Sequence, residues 1–111
     1  MNSPDFLFEK DVTWKNAGEL MKRKILGYDE NLMLVKMHFE KGAVGALHTH
    51  PHSQCTYVIS GKYEFTIGDE TNVVQQGDSL YIAPDAVHGI KCLEPGELID
   101  VFSPAREDFL K

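Results

Sequence analysis

Apolar and polar residues alternate along much of this chain from residue 32 onward. Positions 33, 35, 37 and 39 are apolar, and they alternate with Lys36, His38 and Glu40. A period of two places the apolar side chains on one face of an extended strand. The pattern therefore predicts a half-buried β-strand over residues 33–39.

Further short strands are predicted downstream, separated by turns rich in Gly, Pro, Asn and Asp. They cover residues 46–50, 57–59, 63–67, 73–75, 80–82, 87–93 and 97–102. Residues 57–59 and 63–67 flank Ser60-Gly61-Lys62, which predicts a hairpin. Turns at intervals of roughly ten residues are typical of an all-β sandwich or barrel.

The N-terminal third carries a weaker pattern. It predicts a strand over residues 12–15 and a short helix or a loop over residues 17–24. No repeat or linker divides the 111 residues, and this length suits one domain. We therefore expect a single domain over residues 1–111, with its barrel core at about 32–103.

Composition restricts the classes of function. Hydrophobic content of 42% and charged content of 25% are typical of a globular protein. A net charge of −6 without a basic cluster argues against nucleic acid as a partner. No apolar run is long enough to span a bilayer and no signal peptide is visible, so we expect no membrane partner and a cytoplasmic location. Cys55 and Cys92 lack a CxxC spacing, which predicts free thiols, with Cys92 in the core.

The spacing of the histidines indicates a metal site. His48 and His50 are two positions apart, so both rings leave the same face of an extended strand. Gln54 follows Pro51 and can return to that face, and His88 lies far downstream. Imidazole is the commonest transition-metal ligand. The alternative is a set of ordinary polar residues without a metal.

Two further histidines are not assigned to this site. His38 lies on the polar side of its predicted strand, and we expect it to be solvated and without a partner. His52 follows Pro51 and could face a ligand, although a surface role is favoured.

A second candidate site lies near the C-terminus. Asp100 shares a strand face with Leu98 and Phe102, and a carboxylate on an apolar face is costly unless it is paired or functional. Burial would raise its pKa and suit it to proton transfer. Pro104 ends the strand, so Arg106 can fold back and bind a carboxylate. The alternatives are a surface ion pair of Arg106 with an adjacent acid and a structural Asp100–Arg106 pair.

The two histidine segments resemble the motifs of a known superfamily. They read Gly42-x5-His48-x-His50-x3-Gln54-x6-Gly61 and Gly77-Asp78-x9-His88. These are similar to the two motifs of the cupins, which implies a double-stranded β-helix (jelly-roll) barrel with a metal in its mouth. The sequence departs from the motifs at Gln54, where Glu is usual, and at scaffold positions such as Ala83.

Gln54 has an electrostatic consequence. Three imidazoles and one amide oxygen are all neutral, so a divalent ion would keep its full charge. Removing one carboxylate about 4 Å away changes the attraction for an anion by roughly 4 kcal/mol at an effective dielectric of about 20. Such an ion favours Lewis-acid chemistry over the stabilisation of high-valent iron.

The C-terminal stretch narrows the resemblance. Residues 100–109, together with His48-Thr49-His50-Pro51-His52-Ser53-Gln54, are similar to the small cupins of the pectin-degradation protein KdgF family. That resemblance implies a homodimer that binds a divalent metal and converts 4,5-unsaturated uronate monosaccharides, which are small anionic sugars, to the open-chain 5-keto form. Ser53 stands where Glu is common in that family.

The same resemblance assigns roles to individual residues. The metal would be Ni, Zn, Fe, Mn or Co, which the sequence leaves open. Asp100 would be the catalytic acid and base, Arg106 would clamp the substrate carboxylate, and Phe102 would form a wall of the sugar pocket. The implied metal ligands are His48, His50, Gln54 and His88.

Two other functions remain as alternatives. One is an iron-dependent dioxygenase on the same fold, which oxygen consumption would reveal. The other is a non-catalytic cupin that binds a sugar or another metabolite, which tight binding without turnover would reveal.

Overall fold

The computed structural model describes residues 1–111 as two antiparallel β-sheets. One sheet has six strands in the order β1-β2-β3-β10-β5-β8, and the other has four in the order β4-β9-β6-β7. The strands are β1 (Lys15–Gly18), β2 (Met21–Tyr28), β3 (Met33–Phe39), β4 (Val44–His48), β5 (Ser53–Val58), β6 (Lys62–Ile67), β7 (Glu70–Gln75), β8 (Ser79–Ile82), β9 (His88–Glu94) and β10 (Gly96–Ser103). Single 3₁₀ turns occur at Glu9–Asp11 and Glu107–Leu110, and neither is long or apolar enough to cross a membrane. The all-β prediction is confirmed.

The core lies between the inner faces of the two sheets. Strand β3 alternates as predicted, since Met33, Val35, Met37 and Phe39 are all buried. They belong to a core of 13 buried apolar residues. Burying a side chain of this size contributes about 1.5–3 kcal/mol. Cys92 also lies in this core, whereas Cys55 is exposed, and both thiols are free as predicted.

The N-terminal region differs from the prediction. Residues 17–24 are not a helix or a continuous loop, because β1 and β2 pair as antiparallel strands on either side of a two-residue turn at 19–20. Strand β2 also pairs with β3, with Arg23 opposite Met37 and Ile25 opposite Val35. The side chains of Met21, Arg23 and Ile25 therefore share the inner face. The charged Arg23 interrupts this apolar alternation, so the sequence pattern did not predict the strand.

The predicted hairpin around Ser60-Gly61-Lys62 was wrong. Strands β5 and β6 belong to different sheets, so the connection crosses from one sheet to the other. Gly61 has a φ of +88°, and a Cβ there would lie only 2.8 Å from the carbonyl oxygen of Glu94. The glycine is needed because the β5–β6 and β9–β10 connections pass close together. A glycine in a short polar connection between two strands is compatible with a crossover between sheets as well as with a hairpin.

His38 lies on the outer face of the six-stranded sheet, and the prediction that it has no partner was wrong. Its Nδ1 lies 3.1 Å from a carboxylate oxygen of Glu97, and its Nε2 lies 3.0 Å from one of Glu40. Glu97 lies directly opposite His38 in the β3–β10 pairing. His38 therefore has two partners: Glu97 depends on strand pairing that the sequence pattern does not reveal, whereas Glu40, two positions away, was a usable signal.

Candidate metal centre and active site

Three histidines come together at one end of the space between the sheets. His48 ends β4 and His88 begins β9, and the two are direct partners in the pairing of these strands. His50 lies beyond the end of β4, so the predicted strand over 46–50 is too long at this end. Its ring centroid is nevertheless 4.7 Å from that of His88 and 5.7 Å from that of His48. One nitrogen from each ring lies within 4.8 Å of the others.

Backbone carbonyls fix the tautomers of two of these rings. His48 Nδ1 donates to the carbonyl of Ala46 at 2.8 Å, and His88 Nδ1 donates to that of Ala86 at 2.9 Å. A carbonyl only accepts, so each Nδ1 carries the proton and each Nε2 keeps a free lone pair. Burial also lowers the pKa of His50 and of His88, which favours the neutral rings that a metal requires.

Gln54 adds an amide oxygen to the three imidazoles as a candidate metal ligand. Its amide nitrogen donates to Thr56 Oγ1 at 3.0 Å and to Asp100 Oδ1 at 3.1 Å. Its Oε1 therefore faces His50 Nε2, at 3.0 Å. Three neutral imidazoles and one oriented amide oxygen are a donor set that fits a divalent transition metal.

Asp100 lies beside this donor set on β10. It is paired directly with Thr56 of β5, whose hydroxyl donates to Asp100 Oδ1 at 2.5 Å. Burial raises the pKa of the Asp100 carboxyl to about 6, against the opposing effect of the hydrogen bonds from Thr56 and Gln54. No ion pair joins Asp100 to Arg106. The structural pair considered as an alternative is therefore not present.

Arg106 is placed over the same opening by the segment that follows β10. Its Nε and Nη2 donate to the two carboxylate oxygens of Asp108, at 3.1 and 2.9 Å. The guanidinium carbon lies 4.2 Å from the ring centroid of Phe109 and 5.0 Å from that of Phe102. The ion pair with a neighbouring acid does occur, but the Arg106 side chain is only 14% exposed. It is a part of the site and not of the outer surface.

A cavity of about 340 Å³ connects these groups. This volume lies at the lower end of the range for small-molecule sites. Many other lining residues are apolar, including Phe39, Phe65 and Ile90. The predicted site residues that line it are His48, Gln54, His88, Asp100, Phe102 and Arg106.

Three residues near the site were missed by the sequence analysis or left without an assigned role. Thr56 is two positions from Gln54, so their shared strand face was a usable signal. Arg23 lines the cavity from β2, whose extended structure was not predicted. His52 packs its ring 5.3 Å from that of His50 and 6.3 Å from that of Phe102, and its Nδ1 is buried without a partner. His52 is partly exposed and does not line the cavity, so its role stays a prediction.

Comparison with known proteins identifies the family. A model of the cupin domain matches residues 35–102. The chain belongs to the cupin superfamily. Among curated proteins, it is 39% identical over 107 residues to "Pectin degradation protein KdgF" of Dickeya dadantii (strain 3937), covering 95% of this chain and 97% of that protein.

Solved structures give the same result at the level of the fold. KdgF from Halomonas sp. superposes with a TM-score of 0.91 at 34% identity, over 95% of this chain and 99% of that one. An RmlC-like cupin from Shewanella frigidimarina NCIMB 400 gives a TM-score of 0.94 at 42% identity, over 97% of both chains. The predicted jelly-roll barrel and the resemblance to KdgF are confirmed.

Proposed function

We propose that this protein converts 4,5-unsaturated uronate monosaccharides to the linear 5-keto form by ring opening and tautomerisation. The observation that carries the proposal is the position of Asp100, a buried carboxylate that lines the cavity beside a neutral donor set. Two relatives that match nearly the whole chain bear the name KdgF, one of them as a pectin degradation protein, which supports a uronate substrate.

The donor set would hold a divalent metal. When bound, the ion supplies a Lewis acid that polarises an oxygen of the acidic sugar. Because every donor is neutral, the ligands themselves do not cancel its positive charge, which suits an anionic substrate in a protein of net charge −6. The residues that would bind it are His48, His50, Gln54 and His88.

The proposed reaction is an isomerisation that needs no second substrate. The C1 hydroxyl loses its proton as the bond between C1 and the ring oxygen breaks, which leaves an aldehyde at C1 and an enolate at C5. A proton then adds to C4 and the C5 oxygen becomes a ketone. One proton leaves an oxygen and one arrives at a carbon, so a single acid–base group is sufficient.

Asp100 is the group that we assign to these proton transfers. Its pKa of about 6 lies close to neutrality, so the carboxyl can both accept and return a proton. Hydrogen bonds from Thr56 and Gln54 both go to Oδ1. The second oxygen, Oδ2, is therefore left to carry the proton. General acid–base catalysis of this kind contributes about 10²–10⁴-fold to the rate.

Arg106 and Phe102 would position the sugar. Asp108 occupies Nε and Nη2 of Arg106, which leaves Nη1 to donate to the substrate carboxylate. The Phe102 side chain lies against the guanidinium and against the ring of His50, with centroids 5.8 Å apart. It therefore forms an apolar wall between the proposed metal ligands and the proposed carboxylate site.

The test follows the ultraviolet absorbance of the conjugated double bond in freshly prepared unsaturated uronate. Metal-loaded protein should accelerate its loss, and Asp100→Asn should slow it by about 10²-fold or more. Asp69→Asn, the same substitution in the exposed β6–β7 turn, is the matched control and should retain full activity. Folded, metal-loaded protein that leaves the absorbance unchanged would refute the proposal, and tight uronate binding without turnover would favour a binding function.

A further inference from the structure

Arg23 is the one charged side chain on the inner face of β2. Its neighbours on that face are Met21 and Ile25, and its partner on β3 is the buried Met37. Lys22 and Lys24 point to the other face, where each lies over the ring of Trp14. A cation turned toward an apolar core is costly to fold unless something compensates it.

Nothing in the protein compensates Arg23 directly. Its guanidinium makes no ion pair, and its Nε is buried without an acceptor. The guanidinium carbon lies 3.8 Å from the ring centroid of Phe109. That contact orients the group toward the cavity but leaves its N–H donors unused.

A second cation lies beside it. The guanidinium of Arg106 is 4.2 Å from the same Phe109 centroid, so the two guanidinium carbons are at most about 8 Å apart. Both residues line the cavity. Asp108 neutralises one of the two charges, and Asp100 is the other carboxylate whose charge acts on Arg23. Of the two cations only Arg106 is in ion-pair contact with a carboxylate, so Arg23 is the positive charge at this end of the cavity that no carboxylate contacts directly.

We propose that Arg23 binds the carboxylate of the substrate and selects acidic over neutral sugars. This inference rests on the proposed function for the identity of the ligand. Asp108 occupies two of the donor nitrogens of Arg106, whereas the terminal nitrogens Nη1 and Nη2 of Arg23 have no partner and can bind both oxygens of a carboxylate. Arg23 is therefore the principal contact and Arg106 the supporting one.

The experiment compares three variants in metal-loaded protein. Arg23→Gln removes the charge, Arg23→Lys keeps it without the fork, and Lys22→Gln is the matched control one position away on the opposite face. Calorimetry measures the Kd for galacturonate, a saturated uronate, and for galactose, its neutral counterpart. The absorbance assay measures KM and kcat with unsaturated uronate, and thermal unfolding checks the fold of each variant.

We expect Arg23→Gln to weaken galacturonate binding by about 10- to 100-fold, the effect of losing hydrogen bonds to a charged group. KM should rise by a similar factor with a smaller change in kcat, because Arg23 does not move a proton. Arg23→Lys should lie between Arg23→Gln and the wild type. Lys22→Gln and all galactose values should be unchanged. If Arg23→Gln does not fold, the loss of affinity in Arg23→Lys carries the test.

The outcomes separate the two proposals. Turnover with a wild-type KM in Arg23→Gln overturns the inference and leaves the proposed function intact. Binding of galacturonate that depends on Arg23, without turnover of unsaturated uronate, supports the inference and overturns the function. Equal losses for galacturonate and galactose, or no galacturonate binding by the wild type, overturn the inference.

Discussion

The six-stranded sheet carries charged side chains on both of its faces, but only those on the outer face are paired with opposite charges. On the outer face, Glu9 accepts from Lys24 at 3.2 Å and from Lys36 at 3.0 Å, and Lys36 also contacts Glu97 at 3.2 Å. Hydrogen bonds to Lys36 and Lys24 lower the pKa of the Glu9 carboxyl. Each of these charges therefore has an opposite charge beside it.

The inner face leaves its charges without such partners. Asp100 accepts only from the neutral groups of Thr56 and Gln54, and Arg23 has no acceptor at all. Folding gains little from this arrangement, since an uncompensated buried charge is destabilising. The contrast teaches that paired charges on this sheet stabilise the fold, whereas unpaired ones are available to a ligand.

The largest effect that we expect comes from removing a proposed metal ligand. His88→Ala should abolish stoichiometric metal binding and lower turnover by more than 100-fold, since losing a residue that only supports a ligand already costs about 10- to 100-fold. Elemental analysis and the absorbance assay measure both. His38→Ala removes an imidazole from the outer face and should change neither value. Full metal content in His88→Ala would exclude it as a ligand.

Asp100→Asn should stabilise the metal-free protein at neutral pH. The folded state raises the pKa of Asp100 to about 6 from 3.8, so as the pH rises through this interval the unfolded chain loses its proton first. Stability is therefore lost as the pH rises, and the full penalty of about 3 kcal/mol applies above the folded pKa. Asn keeps the acceptor used by Thr56 and Gln54 and cannot ionise.

Urea unfolding in the presence of a chelator measures this effect. The variant should be more stable than the wild type by about 3 kcal/mol at pH 8 and equally stable below about pH 4. The exposed Asp69→Asn variant should follow the wild type at every pH. A difference that does not change with pH would show that Asp100 is not a buried, titrating acid.

Asp108 sets how much positive charge Arg106 offers. Asp108→Asn should lower KM for the uronate by about fivefold with little change in kcat, because removing one partly screened charge changes the attraction by about 1 kcal/mol. Glu107→Gln neutralises the adjacent exposed acid and should have a smaller effect. The gain should shrink as the salt concentration rises. A raised KM would instead show that Asp108 is needed to hold Arg106 in place.

The site was easier to predict from the sequence than the connections of the fold. His48, His50, Gln54 and His88 stand at motif spacing, and alternation alone placed Asp100 on an apolar face. Arg23 was missed because the inward position that makes it informative also breaks the pattern that identifies β2. Pairing between distant strands also decides the crossover at Gly61, and no local signal encodes it. The single domain and the homodimer stay predictions.

Glu9→Gln should give the smallest effect and the clearest contrast with Asp100. Because its partners Lys36 and Lys24 lower the pKa of Glu9, its contribution to stability is present above the ordinary pKa of Glu and is lost as the pH falls through the lowered folded value. The Glu9 side chain is 48% exposed, so water and salt screen the pair strongly. We therefore expect the melting temperature of the variant to be slightly lower than that of the wild type at pH 7 and low salt. At high salt or in acid, the two melting temperatures should be equal. Turnover should be unchanged, since the variant acts on the opposite face from the cavity; a loss of activity would show that the two faces are coupled.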